Sequence, residues 1–397
     1  MTRPLPCVLT LNSGSSSIRF AIYDTGVTPR RRLAGKIERI GSSGTTLTVS
    51  ESAGKPAAPR RLPTVTSRTA VRVLLDWIET QPLFASLNAV GHRVVHGMTH
   101  SAPELVTPRL MADLRRLRPY DPVHLPREIA LIEALMHRHP KMPQVACFDT
   151  AFHRAMPRVA KLLPIPRRYA AMGVERYGFH GLSYAYVMEE LARLDPAAAK
   201  GRIILAHLGN GASMAAVRNG QCIDTSMGFT PAAGLMMSTR TGDLDPGLAY
   251  FFARTERMTP ARFQRMVNHE SGLLGVSGTS ADMRDLLVRE AHDVRAADAV
   301  ALFCYQATKW IGSFAAALGG VDTLVFAGGI GEHAQQIRAR ICRGLGFLGI
   351  ALHGKRNAHH APLISKDGAR VTVRIVRTDE ELMIARSVVR LLRRKAP

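Results

Sequence analysis

Residues 201–217 read GRIILAHLGNGASMAAV, and a weaker copy of the pattern opens the chain as CVLTLNSGSSSIRFAI at residues 7–22. Each copy is an apolar, β-prone run, a knot of Asn, Gly and Ser, and a second apolar run, which is the pattern of two antiparallel strands joined by a tight turn. Small residues in such a turn let backbone N–H groups converge on an anion, and a side-chain amide or hydroxyl adds a further donor. One copy alone is equally well explained as an ordinary hairpin. The two copies, about two hundred residues apart, suggest a duplicated unit with phosphate held between the copies. No G-x-x-x-x-G-K-[ST] run occurs, which argues against a P-loop nucleoside triphosphatase.

The 397 residues, 46% of them hydrophobic, suffice for two domains with substantial cores, since single cores rarely grow beyond about 250 to 300 residues. Five cysteines without a C-x-x-C spacing favour a reducing compartment over a disulfide scaffold. Pro4, Pro6 and the polar Asn12 and Ser13 interrupt the N-terminal apolar run, so no signal peptide is expected. The longest apolar helical candidate, residues 296–318, carries Asp298 and Lys309 and stops at Gly319 and Gly320, which reads as a buried helix rather than a membrane span. The expectation is a cytoplasmic protein without membrane or nucleic-acid partners. The net charge of +22 comes from scattered Arg, with no basic run interleaved with aromatics as in a stacking platform; a solvated surface that draws in anionic substrates accounts for it.

Along the chain, residues 25–68 suggest a small meander, and Val71, Leu74, Leu75 and Ile78 recur at helical spacing behind a Ser67 cap. Residues 87–95 return to strand character and deliver GHRVVHG (91–97), a helix follows Pro126, and the strand QVACF (144–148) ends in Asp149. A carboxylate at the end of a buried strand is where α/β folds place chemistry. RRYAAMGVERYGFHGLSY (167–184) has the mixed polar and aromatic character of a loop. VDTLVFAGGIGEH (321–333) reads as a buried strand entering a Gly-rich turn, suited to close passage of backbone past a flat nucleoside. Thr378 to Glu381 form a capping box for a closing helix with Leu382, Ala385, Val389 and Leu392 on one face.

Other signals carry less. GLGFLG (344–349) matches a dinucleotide fingerprint but follows a helix, not a strand. His92, His96 and His100 lie in a strand and loop, where that spacing does not converge on zinc. Phosphoryl transfer needs cations against the equatorial oxygens, a hard metal on oxygen ligands and a group that orients the acceptor. Arg93 and Arg240 can grip a carboxylate or phosphoryl group in bidentate fashion. His180, in GFHG, can donate to a phosphoryl oxygen, and Asp149 and Glu380 suit the neighbourhood of metal and water.

At these residues the chain resembles the acetokinase family. The matching segments are LNSGSSSIRF, GHRVVHG, FDTAFH, RYGFHG, HLGNGAS, DTSMGFTP, MMSTRTGDLDP, SGLLGVSGTSADMRD, AGGIGEH and TDEELMIAR, in chain order between residues 11 and 386. The resemblance implies an α/β protein with the two-domain, duplicated ribonuclease-H-like fold of the actin, sugar kinase and Hsp70 superfamily. Domain I would take residues 1–149 plus 381–397 and domain II residues 150–380, with the site in the cleft. It implies reversible transfer between ATP and a short carboxylate, acetate or alternatively propionate, by direct in-line attack with Mg2+, for which Mn2+ can substitute, in a homodimer.

Position by position, the resemblance gives Asn12 and Glu380 as metal residues, Ser15, Ser17 and Arg19 as the first phosphate turn, and Arg93 as the holder of the substrate carboxylate. Asp149 corresponds to the catalytic acid, described physically as an orienter of substrate and metal-bound water, while His180 and Arg240 match transition-state stabilisers. His207, Leu208, Gly209, Asn210 and Gly211 match the second phosphate turn; Asp282, Met283 and Arg284 the adenine contacts; Gly329, Ile330, Gly331, Glu332 and His333 the adenosine turn. Val95, Val123, Phe179 and Pro231 would line the acyl pocket. Departures from the family pattern are Arg19 for Lys, Ser13 for Ala, Ser238 for Gly, His333 for Asn and Met98 for Gly. Val123, in DPVHLP, stands for a usual Leu, leaving room for about one more methylene, or roughly 0.8 kcal/mol of burial.

Overall fold

The computed structural model describes residues 5–14, 17–26, 28–41, 43–51, 57–63 and 65–395; Ser15 lies outside them. The chain forms two compact units, residues 1–151 with 379–397, and residues 152–378. The second crossing falls before Asp379, so Glu380, placed by the sequence reading at the end of domain II, belongs to the first unit with Asn12.

In the first unit, β1 (Cys7–Ser13), β2 (Ser17–Asp24), β3 (Arg31–Glu38), β4 (Thr46–Glu51) and β5 (Arg60–Arg61) form an antiparallel meander. β6 (Leu87–Val94) pairs parallel to β1, the two-residue β7 (Glu104–Leu105) lies at the edge, and β8 (Gln144–Phe148) pairs parallel to β6. In the second unit β9 (Arg202–Leu208), β10 (Ala212–Arg218) and β11 (Gln221–Thr225) form the meander, and β12 (Thr323–Ala327) and β13 (Thr372–Ile375) add parallel strands beside β9. The order β3-β2-β1-β6-β8 in one sheet and β11-β10-β9-β12-β13 in the other is the same plan used twice. This is the duplicated ribonuclease-H-like architecture, and both glycine-serine turns sit at the hairpin of the first two strands of their unit.

Both sheets carry apolar runs because both of their faces are covered. In the first unit Leu9, Leu11, Phe20 and Ile22 pack with Leu74, Leu75 and Ile78 of the helix Ser67–Glu79. That helix is capped by Thr66, which accepts from Thr69 N–H and is answered by the Thr69 hydroxyl; the cap is one residue earlier than the expected Ser67. On the other face the helix Glu380–Lys395 lies so close to β6 that a Cβ on Gly91 would meet Ile384 Cγ2 at 2.4 Å and Val388 Cγ2 at 2.7 Å. This helix begins under an Asp379 carboxylate that accepts Leu382 N–H, not in a Thr378 box, because the Thr378 hydroxyl is engaged by Ser183. In the second unit the helix Val294–Leu318 ends at Gly319 in the left-handed region, where glycine carries no Cβ penalty. Residues 167–184 are not all loop: 167–171 form a short helix, and a longer one, Gly181–Leu194, starts inside the segment. Residues 328–333 form a short helix rather than a turn.

The buried Glu128, on the helix Leu125–Arg138, supports the end of β6 by accepting Val95 N–H on both carboxylate oxygens, at 3.2 and 3.1 Å. Burial raises its pKa well above the ordinary value, helped by Asp121 and opposed by Arg93 and the Val95 N–H. Just beyond, Met98 holds φ at +45°, a conformation that costs a non-glycine residue about 1 to 3 kcal/mol; this is the position where the resemblance expects Gly.

Two stability measurements test this packing. Gly91→Ala forces a methyl group against Ile384 and Val388, and overpacking of this kind costs about 1 to 3 kcal/mol; a clear drop in the thermal unfolding midpoint is expected, and an unchanged midpoint contradicts the packing. For Glu128, a raised folded pKa means that the carboxyl's full contribution is present below the ordinary value of 4.5 and is lost as pH rises through the folded value. Glu128→Gln is therefore expected to match the parent near about pH 4 and to exceed it in unfolding free energy near about pH 8. A difference that stays constant across that range contradicts the assignment.

Candidate active site

In the first unit the end of each central strand supplies one polar side chain. Asn12 near the end of β1, Arg93 near the end of β6 and Asp149 directly after β8 meet each other. Arg93 donates to Asp149 Oδ2 from Nη2 at 2.6 Å and Nε at 3.0 Å, and to Asn12 Oδ1 from Nη1 at 3.2 Å. Asn12 passes the connection on, donating from Nδ2 to Glu380 Oε2 at 2.8 Å and Glu381 Oε1 at 3.3 Å. Asp149 is fully buried. Burial opposes the charge on Arg93, but Asp149 and Glu380 outweigh it, so the guanidinium is held even more firmly protonated than usual. Glu381 is pushed upward by burial and by Glu380, with Arg19 pulling the other way. Arg19 and Glu381 share the wall of an open cavity of about 200 Å3.

The remaining first-unit candidates are less concentrated. Ser17 opens β2, and its carbonyl accepts Gly14 N–H at 2.8 Å. Val95 is buried on Glu128, whereas Val123 lies half-buried in the turn before Leu125–Arg138. The histidines at 92, 96 and 100 have separate engagements: His92 Nε2 with Gln144, His96 Nδ1 with Met98 N–H, and His100 Nδ1 with Glu104.

The second unit gathers its candidates around the β9–β10 turn. A Cβ on Gly211 would lie 2.6 Å from Arg240 Nη2 and 3.0 Å from His180 Nε2, so the two side chains converge on one bare backbone position. His180 and His207 stack with ring centroids 4.4 Å apart. His180 holds φ at +58° immediately before the helix Gly181–Leu194; such strain persists only where the surroundings over-determine it. Arg240 donates to Pro231 O at 2.6 Å. The turn that carries it closes by Met237 N–H to Arg240 O, and a Cβ on Gly272 would sit only 2.1 Å from Met237 O. Glycine at the start of the GLLG run is thus a packing requirement of the arginine turn.

The segment 327–333 joins the same neighbourhood. Ala327 pairs with His207, a Cβ on Gly209 would lie 3.7 Å from Gly329 N, and one on Gly328 would strike Leu208 O at 2.7 Å. Leu208 and Gly331 are buried, while Asn210 and Gly329 are exposed and Ile330 is half-buried. Glu332 is turned back onto Gly328 N–H and Thr378 N–H. The buried Arg338 donates to Gly331 O at 2.8 Å and Glu332 O at 3.0 Å, and burial lowers its pKa to about 10. His333 is exposed beside Glu332, 3.8 Å away. Asp282 caps the helix Met283–Arg289 by accepting Arg284 N–H and also binds the Arg284 guanidinium; Met283 is buried. Phe179 is buried, and its carbonyl meets His153 Nε2 at 3.0 Å.

Sequence reading missed Glu381, Glu128, Ser213 and Tyr184. Glu381 had a visible signal, as the second carboxylate of TDEEL.

Among the described residues no three His, Cys, Asp or Glu side chains converge as a metal cage. The Asn12 amide lies beside the Glu380 and Glu381 carboxylates, turning Nδ2 to them and Oδ1 to Arg93. The carboxylate oxygens fit Mg2+, which binds through one or two carboxylates plus phosphates and water, and the Asn12 oxygen can join them only by leaving Arg93.

The acetokinase family model matches residues 7–386. An acetate kinase of Rhodopseudomonas palustris is 46% identical over 391 residues, covering 97% of this chain and 98% of that protein. A propionate kinase of Citrobacter rodentium is 41% identical over 401 residues, covering 98% of each. Among solved structures, Porphyromonas gingivalis acetate kinase superposes with a TM-score of 0.86 at 36% identity over 98% of this chain and 100% of that one. A propionate kinase from Francisella tularensis gives 0.90 at 32% identity over 96% and 99%. The repeated sheet plan, the arginine-carboxylate cluster and these matches agree: the chain belongs to the acetokinase family, phosphotransferases with a carboxyl group as acceptor.

Proposed function

We propose that the protein catalyses reversible phosphoryl transfer between ATP and acetate, giving acetyl phosphate and ADP, with propionate as the alternative acceptor. The observation that carries the reading is the convergence of Arg240 Nη2 and His180 Nε2 over the bare Cα of Gly211, because two donors aimed at one point suit a phosphoryl group whose charge is spread over equatorial oxygens. Arg93 holds the acceptor carboxylate. A carboxylate is ionised at neutral pH and needs no base, so Asp149 acts by orienting Arg93, to which it is bonded, not by removing a proton. An acceptor oxygen forms its bond to the γ-phosphorus as the bond to the bridging oxygen breaks, and ADP leaves with that electron pair. Asn12 and Glu380 would hold Mg2+, which offsets phosphate charge when bound.

The half-buried Val123 supports tolerance of one extra methylene, and the exposed His333 supports relaxed nucleotide choice. Tyr250, Phe251, Val288, Val294 and Tyr305 of the second unit are exposed apolar side chains, and their burial against a second copy of the chain would favour a homodimer. Five buried free cysteines support a reducing, cytoplasmic setting. Among the described residues no helix is long and apolar enough to cross a membrane.

Acyl phosphate trapped as hydroxamate, with Mg-ATP and acetate, propionate or butyrate at matched concentrations, tests the reading. The highest kcat/KM is expected with acetate, then propionate; no product with any acid refutes it. Arg240→Ala is expected to lower kcat about a thousandfold with the KM for ATP little changed, and near-normal kcat removes Arg240 from the mechanism.

A further inference from the structure

His180 has two ring nitrogens, and which of them carries the proton decides whether it can donate to an oxyanion. Its Nε2 is the atom beside Arg240 Nη2 over Gly211. Its Nδ1 lies 2.9 Å from Ser213 Oγ on β10, and the same Oγ is bonded to the hydroxyl of Tyr184, from the first turn of the helix that His180 precedes. Ser213 and Tyr184 are both buried.

A serine hydroxyl has one proton to give and lone pairs to receive. A phenol is a stronger acid and a poorer acceptor than an aliphatic alcohol, so Tyr184 donates to Ser213. The single Ser213 proton then points at His180 Nδ1, which must offer a lone pair. The ring proton is left on Nε2, directed toward the position over Gly211. The opposite tautomer would aim a lone pair at the same position and repel an oxyanion.

We infer that Tyr184 and Ser213 are positioning residues that hold His180 as its Nε2–H tautomer, fitting it to donate to the transferring phosphoryl group. The inference rests on the proposed role of His180 in that transfer. The charged and titratable groups around the ring agree with a neutral imidazole. The Arg240 guanidinium shares its corner, and a second cation there is disfavoured. His207 stacks on it and is itself held at Nδ1 by Ser183 Oγ, 2.8 Å away. His153 meets the Tyr184 ring edge-on at 5.8 Å, and burial lowers its pKa to about 4, so it adds no charge.

The test combines Ser213→Ala, Tyr184→Phe and Ser213→Thr with long-range proton–nitrogen NMR of the histidine-labelled enzyme, which separates the two neutral tautomers; His180→Asn identifies the His180 signals. In the parent His180 is expected as Nε2–H. Ser213→Ala is expected to lose the defined tautomer, to lower kcat about a hundredfold with both KM values within about twofold, and to move the acidic limb of the pH profile. Tyr184→Phe should fall about tenfold, and Ser213→Thr, which keeps the hydroxyl, should recover most activity. A parent His180 protonated on Nδ1 overturns the inference. So does a Ser213→Ala enzyme whose tautomer and pH profile are unchanged, whatever its kcat. If Ser213→Ala does not fold, the parent spectrum and Tyr184→Phe decide. If the parent phosphorylates no acid, the kinase reading fails separately, while the spectrum still decides whether the relay exists.

Discussion

The first unit depends on one buried ion pair. Arg93 reaches Asp149 with two N–H groups on a single carboxylate oxygen, and Asp149 has no exposed surface. A pair taken out of water in this way stays charged only when hydrogen bonds occupy its remaining valences. Asn12 answers that need on one side and hands the contact to Glu380 and Glu381. Removing one partner would leave a buried charge uncompensated, which costs about 3 to 5 kcal/mol. The strand ends of β1, β6 and β8 and the start of the closing helix are therefore tied to one electrostatic arrangement, and that arrangement leaves an excess of carboxylate beside a fixed cation.

The second unit meets a different constraint, the close approach of backbone. Gly211, Gly272 and Gly328 stand where a Cβ would collide with a neighbouring turn or a donor side chain. Bare backbone lets the β9–β10 turn, the arginine turn and the short helix Gly328–His333 pack together, and it leaves no methyl group at the point where Arg240 and His180 converge. The buried Arg338 then fixes the Gly331 and Glu332 carbonyls at the end of that helix.

Much of this was legible in the sequence because the relevant chemistry is local. Alternating apolar runs around Asn, Gly and Ser specify hairpins, and the structure has both. Asp149 stood out because a buried strand runs straight into it. The Thr378 capping box did not survive, since a hydroxyl that can cap a helix can equally bond Ser183, and tertiary contact chose the latter. Residues 328–333 read as a turn because glycines disfavour helix, yet the Glu332 side chain returns to Gly328 N–H and supports a helical turn. The link of Ser213 and Tyr184 to His180 was not legible for a related reason. Both lie inside stretches that stood out, GNGAS and GFHGLSY, yet nothing local ties either hydroxyl to His180, and only the tertiary contacts do so.

In the proposed reaction Arg93 presents a carboxylate that attacks phosphorus in one direct displacement, without a phosphorylated enzyme in between. The most direct measurement is the stereochemical course of transfer, using ATP made chiral at the γ-phosphorus with oxygen isotopes and sulfur, and reading the configuration of the acyl phosphate. One in-line displacement inverts the centre, and inversion is the expected result. Retention would require two displacements through a phosphoryl-enzyme, and it would contradict the roles of Arg93, His180 and Arg240 in a one-step transfer.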